Sequence, residues 1–229
     1  MKIRDIVKEL TSYYSFKVEE CPIYRLSREL TSYEFLILTV LSQNTSDKLA
    51  KRAFDNLVQR FGRPLDPHVI VESPEAVIDC IRVSGMYKRK YETIRNLSLL
   101  VIERGQKFLD NDDPRSIMKI LLSIEGLGRK SVDVFLLFKR CYPTFPVDTH
   151  IRRISSRIPL TREASYDAIS GTFLREFGSD PHMLMTAHLV LIKHGRELCR
   201  ALSPRCDICP LRNVCEYARS RNILQNKRL

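Results

Sequence analysis

At 229 residues, with 44% hydrophobic and 28% charged content, the chain can form one large or two modest globular domains, each with its own core. It contains no run of 18 apolar residues, so no membrane-spanning helix is expected. Its 38 Lys+Arg against 27 Asp+Glu give a formal charge of +11, an excess that favours polyanions through counterion release; nucleic acid is the usual partner of such a chain, and a merely basic, soluble protein is the plainer reading.

In chain order, the opening MKIRDIVKEL is charged throughout and lacks the apolar region of a signal peptide, so a cytoplasmic protein is expected. A reducing compartment argues against disulfides among the seven cysteines. Cys21, Cys80 and Cys141 stand in apolar surroundings and read as core residues. Thr31-Ser-Tyr-Glu34 has the form of a capping box before the apolar run 35–41. Ser73-Pro74 places a cap before a proline at the first helical position, and that segment stops at Gly85. Asp113-Pro114 opens IMKILLSIE, which runs to Gly126, and Asp180-Pro181 opens HMLMTAHLVLIKH, which runs to Gly195. Apolar residues follow a three-and-four spacing, as at Ile117, Ile120, Leu121 and Ile124, whereas strand signals are weak. The expectation is an all-α protein of about ten helices.

Two stretches carry chemistry. In the first, Gly126-Leu127-Gly128-Arg129 lies between one apolar helix and the next, VDVFLLF. A Gly-x-Gly there permits a tight turn and lets backbone N–H groups approach an anion, toward which the second helix presents its positive end. This is the logic of a helix-hairpin-helix, which grips a phosphate without reading sequence; an ordinary turn between helices would look similar. Lys130 follows in the first turn of that second helix, where the helix dipole and burial both disfavour its ammonium form and bring a nucleophilic amine within reach. A phosphate-binding or solvated lysine is the plainer reading. Further on, Asp148 in PVDTHIRR precedes a helical pattern, so it reads as an N-cap that can also face a cationic transition state or relay a proton. His150 reads as a structural hydrogen-bonding group. Arg152, Arg153 and Arg157 read as a phosphate-facing set or a solvated face.

The second stretch, CRALSPRCDICPLRNVC, spaces Cys199, Cys206, Cys209 and Cys215 as C-x6-C-x2-C-x5-C. Four thiolates suit either tetrahedral zinc or an iron–sulfur cluster. Only the Cys206/Cys209 pair forms a knuckle of the zinc-ribbon kind, so the spacing leans toward a cluster. Arg200 and Arg205 fall between the first two cysteines, where they offer phosphate contacts.

Together these features resemble the endonuclease III family of the helix-hairpin-helix-GPD superfamily. LSIEGLGRKSVDV resembles that family's LPGVGRKTANV hairpin, and PVDTHIRRISSR its VDTH segment at the same distance from the lysine. The cysteine spacing matches its [4Fe-4S] loop, preceded by a similar Leu-Ile-x-His-Gly-Arg. LSQNTSDKLAKRA resembles LSAQATD, and GMYKRKYETI resembles GLYxxKAxxI. The likeness runs in order from about residue 30 to 217.

The resemblance implies a six-helix domain, 32–142, carrying the hairpin, and a cluster domain formed by 1–31 and 143–229. A DNA-binding cleft would lie between them. It also implies a monomeric, nucleoid-associated DNA glycosylase with AP lyase activity, acting on duplex DNA with damaged bases or abasic sites. The nucleotide would be flipped out, Lys130 would attack C1′ with Asp148 assisting, and β-elimination from the Schiff base would cut the strand. Oxidised pyrimidines are the expected substrates. Two departures stand out. Glu125 occupies the usual proline position, and Asn44 stands where the family has the glutamine that fills the gap left by the flipped base, with Gln43 beside it as a possible substitute. A mismatch-directed uracil or thymine glycosylase of the same superfamily is the alternative enzyme. A non-enzymatic DNA-binding redox sensor is the alternative outside catalysis, and it would not need Lys130 and Asp148 together.

Overall fold

The structure, a computed structural model, describes residues 2–161 and 163–220. Thirteen α-helices, a further helical stretch at 216–220 and no strand occur among them. In chain order the first helices are α1 (Ile3–Tyr13), α2 (Pro22–Glu29), α3 (Ser32–Leu41), α4 (Asp47–Phe61), α5 (Pro67–Glu72) and α6 (Pro74–Ile81). There follow α7 (Tyr87–Arg104), α8 (Phe108–Asn111), α9 (Pro114–Leu122), α10 (Arg129–Phe138), α11 (Thr149–Arg157), α12 (Tyr166–Phe177) and α13 (Pro181–Glu197). The surplus over the expected ten comes from short elements such as α5 and α8, too brief to show a helical period.

The chain divides into two compact units. One comprises Pro22–Arg140 and the other Met1–Cys21 with Cys141–Leu229. The first begins at Pro22 rather than at residue 32 because α2 packs against both α3 and α10. It therefore holds nine helices, α2 to α10.

In the 22–140 unit α3 is the central element, and all ten of its residues are buried. Its capping box closes as the sequence predicts: Thr31 accepts from the Glu34 N–H, and Glu34 accepts from the Thr31 N–H at 2.9 Å. Glu34 has no exposed surface, yet Arg63 Nε and the Leu65 N–H also donate to it. Burial alone would raise its pKa; these donors win and hold it below the ordinary carboxylate value. Eight consecutive residues of α10, Ser131–Phe138, are buried, and α10 packs on α3 and α9. The helix that carries Lys130 is thus fixed to the centre of its unit.

In the other unit α13 is central, contacted by α1, α11 and α12. It continues through Gly195 to Glu197, beyond the stop that the glycine suggested. The glycine serves packing instead: a Cβ there would sit 2.7 Å from the Cβ of His150 on α11. Phe145 stacks on Phe173 at 3.9 Å, ordering the extended segment that leads into α11. The three scattered cysteines are not core residues as expected. Cys21 and Cys80 are half-buried, and Cys141, the first residue after the 22–140 unit in the chain, is exposed with φ +49°.

Candidate active site and cysteine cavity

Helix α9 ends at Leu122, earlier than the Gly126 the sequence suggested, and the six residues 123–128 turn the chain into α10. Gly126 has φ +85°, which a side-chain-bearing residue rarely adopts. Its neighbour on α7 leaves no room either, since a Cβ would lie 2.0 Å from Thr93 Oγ1. Thr93 holds the turn by donating to the Glu125 carbonyl at 3.1 Å. Gly128 is exposed and is the N-cap of α10, with no side-chain cap over the first-turn N–H groups of the helix. Lys130, half-buried, occupies that first turn. Arg129 pairs with the fully buried Asp133 at 3.1 Å while its own side chain stays partly exposed.

Leu127, expected among the phosphate-gripping residues, is turned inward. Its side chain is buried and its N–H donates to the Ile124 carbonyl at 3.1 Å. It closes the turn. Gln43 is likewise committed, its amide donating to the Gly126 carbonyl at 3.1 Å and to Ser131 Oγ at 3.2 Å. Asn44, with φ +51°, is exposed and approaches Met86 Sδ at 3.9 Å. Of the two amides, Asn44 is therefore the one turned outward.

In the other unit Asp148 caps α11 by accepting from the Ile151 N–H at 2.8 Å. The segment before it is anchored by His188, buried on α13, whose Nδ1 lies 3.0 Å from the Pro146 carbonyl. His150 bonds Arg153 at 2.9 Å, a structural contact of the kind expected. Arg153 and Arg157 do not form a phosphate-facing set. Arg153 donates to the carbonyls of Cys199 and Gly195, both at 2.9 Å. Arg157 donates to Cys199 Sγ at 3.3 Å and to the carbonyls of Arg200 and Ala201, and stacks on Tyr217 at 4.3 Å.

Cys199, Cys206, Cys209 and Cys215 line one cavity, with Arg157 and His194 among its walls. Among the described residues no three His, Cys, Asp or Glu side chains are arranged around a single metal ion. Burial pushes the Cys209 thiol up to about 11 and the Cys215 thiol up as well. Burial also drives His194 down to about 4, so its imidazole is neutral. Tyr14 of the segment after α1 bonds His194 Nδ1 at 3.1 Å, and His194 Nε2 lies 3.8 Å from Cys209 Sγ. Arg200 and Arg205 are both exposed on the loop between the first two cysteines.

A family model described as "HhH-GPD superfamily base excision DNA repair protein" matches residues 37–177. The endonuclease III of Sulfolobus acidocaldarius is 35% identical over 183 residues, 80% of each chain. This chain belongs to the endonuclease III family of that superfamily. The endonuclease III of Thermotoga maritima is 30% identical over 86% of this chain and 88% of its own. Among solved structures, a trapped endonuclease III–DNA covalent intermediate, an estranged-adenine complex, superposes with a TM-score of 0.79 at 26% identity, covering 97% of this chain and 99% of that one. A thermostable thymine-DNA glycosylase shares the fold, with a TM-score of 0.72 at 17% identity, over 95% of this chain and 97% of its own.

Within this endonuclease III family chain, the roles of several site-building residues were not legible in the sequence. No local pattern marks His188, and the stretches that hold Arg157 and Lys90 do not show that these side chains bond carbonyls far along the chain. Met86 carried a weak signal, an apolar residue directly after the Gly85 stop, where it now stands 52% exposed with φ +49°.

Proposed function

We propose that the chain is a bifunctional DNA glycosylase/AP lyase that removes oxidised pyrimidines from duplex DNA. One observation carries the reading: in a chain of the endonuclease III family, a lysine stands in the uncapped first turn of the helix after a Gly-x-Gly hairpin. The exposed Gly128 and the first-turn N–H groups of α10 offer a phosphate the positive end of a helix. With the strand held there, the Lys130 amine attacks C1′ of the flipped nucleotide. The C1′–N bond breaks, and the base leaves with a proton. The Lys130 nitrogen then gives up a proton as the sugar ring opens at C1′–O4′, O4′ taking up a proton, and the resulting iminium acidifies the C2′ hydrogens; loss of one expels the 3′ phosphate by β-elimination, and hydrolysis frees the amine. The Asp148 carboxylate balances the developing positive charge at the sugar or relays the proton.

The four cysteines would hold a [4Fe-4S] cluster. They suit such a group because all four cysteines line one cavity and thiolates are the usual ligands of iron–sulfur clusters. When bound, the cluster would supply four Fe–S bonds that fix the loop carrying Arg200 and Arg205. Iron and sulfide analysis, with a brown absorbance, separates it from zinc.

The experiment that tests the activity is borohydride trapping on duplex DNA with an abasic site. A covalent adduct that disappears in Lys130→Gln is the expected result, and no adduct from folded, DNA-binding protein would overturn the lyase. Thymine glycol and dihydrouracil duplexes should be cleaved in preference to uracil or G·T duplexes. The reverse order would favour the mismatch-directed reading.

A further inference from the structure

The 22–140 unit contains a buried amine for which the reaction just described has no use. Lys90, on α7, is 3% exposed. Its Nζ donates to the carbonyls of Leu41 and Ser84, each at 2.8 Å. Leu41 is the last residue of α3, and Ser84 the last residue of the short 3-10 turn Arg82–Ser84, so both carbonyls belong to helix ends. The main-chain N–H of Lys90 also donates to the Met86 carbonyl at 3.1 Å. Burial is the only cause that shifts its pKa, down to about 8. The charge is therefore held by backbone dipoles, and its desolvation makes it a poor device for stability alone.

The two carbonyls precede two turns that share an unusual feature. Asn44 follows Leu41 by three residues and Met86 follows Ser84 by two, and both are non-glycine residues with positive φ. Their side chains meet, and both line a cavity of about 130 Å3 together with Gln43, Arg89, Lys90 and Gly126. Gln43 in turn grips the hairpin at Gly126 and at Ser131, next to Lys130. A buried donor thus sits behind an exposed amide and an exposed thioether, at the corner that reaches the nucleophile's own helix.

We propose that Lys90 is a positioning residue, which ties the ends of α3 and of the 82–84 turn together so that Asn44 and Met86 form one fixed edge that unstacks the duplex beside the flipped nucleotide. The proposal rests on the base-excision reading above. Extruding a nucleotide from a duplex opens a gap and breaks stacking, and an apolar wedge with a hydrogen-bonding partner offsets that cost. The edge works only if its two side chains keep their separation, and Lys90 bonds the chain leading into both turns. Single-stranded DNA has no opposing strand to open, so the edge should matter little there.

The test uses the full chain in a Lys130→Gln background, which removes the chemistry. A duplex carrying a non-cleavable abasic analogue, with 2-aminopurine on the opposite strand, brightens when that base is unstacked. The parent should brighten it, and Lys90→Met, which keeps length but lacks donors, should weaken the response by about tenfold, the scale of one lost charge-assisted hydrogen bond. In the Lys130-containing chain, Lys90→Met should lower borohydride trapping on duplex abasic DNA by about the same factor and leave single-stranded trapping within about twofold. Met86→Ala, at the surface, should reproduce the selective duplex loss and guards against a Lys90 variant that does not fold. Full brightening in either variant, or equal loss on duplex and single strand at unchanged melting temperature, would overturn the proposal. Failure of the base-excision reading looks different: the unsubstituted chain would form no adduct on either substrate.

Discussion

One side chain in this protein carries a structural duty and, in the function proposed, a chemical one at the same position. Asp148 caps α11 through the Ile151 N–H and is also the carboxylate assigned to the reacting sugar. The duties separate by substitution. Asp148→Asn keeps a capping oxygen, so its stability should stay within about 0.5 kcal/mol of the parent, whereas Asp148→Ala should cost about 1 kcal/mol. Both should lose glycosylase activity alike. Urea unfolding beside single-turnover base release makes the comparison, and an active Asp148→Asn would confine Asp148 to capping. Lys130 shows why a candidate nucleophile was readable from residues: it follows a Gly-x-Gly, and its helix begins one residue before it. The exposure of Asn44 was not readable. The adjacent Gln43 has the same donors, and only its bonds to Gly126 and Ser131 decide which amide faces outward.

At the level of elements, local chemistry fixed where several helices begin. Thr31, Ser73, Asp113, Asp148 and Asp180 each precede a helix, and prolines open three of those five. Helix ends were less legible, because a glycine ends a helix or serves a close approach with the same letter. Gly85 follows the 82–84 turn with φ +67°, but Gly195 lies inside α13 so that His150 can press against it. Gly126 meets both demands at once, a positive φ and a neighbour on α7. Gly126→Ala should therefore destabilise the protein by roughly 1–3 kcal/mol through backbone strain and overpacking. Thr93→Ala in that background should recover part of the loss, since it removes the Oγ1 that the new methyl would strike. Thermal melts of the single and double variants measure the coupling, and strictly additive losses would show that the two residues do not meet.

For the whole molecule, the charge of +11 predicts DNA binding that weakens steeply with salt. The geometry narrows which cations matter. Arg153 and Arg157 are turned onto carbonyls and the cysteine cavity, whereas Arg200 and Arg205 remain exposed on the loop between the first two cysteines. Replacing Arg200 and Arg205 together by alanine should flatten the slope of log affinity against log salt by about 2, one for each lost phosphate contact. Fluorescence anisotropy across a salt series measures it, and an unchanged slope would take this loop out of the interface. The same change at Arg153 and Arg157 should instead disturb the cysteine loop, visible as loss of iron.

What the sequence alone determined is what short spans encode: the all-helical class, the caps, the hairpin with Lys130 behind it, and four thiols at a cluster-like spacing. Caps, turns and ligand loops act between residues a few positions apart, so their physics is written in adjacent letters. The tertiary structure decided what depends on burial and on partners far along the chain. It turned Leu127 and Gln43 inward, gave Arg157 to the cysteine cavity, linked Tyr14 to His194 across 180 positions, and buried Lys90 against two helix ends. A lysine reads as solvated until the packing around it is known. Whether its ammonium faces water or a pair of carbonyls is settled only when the helices that bear them have come together.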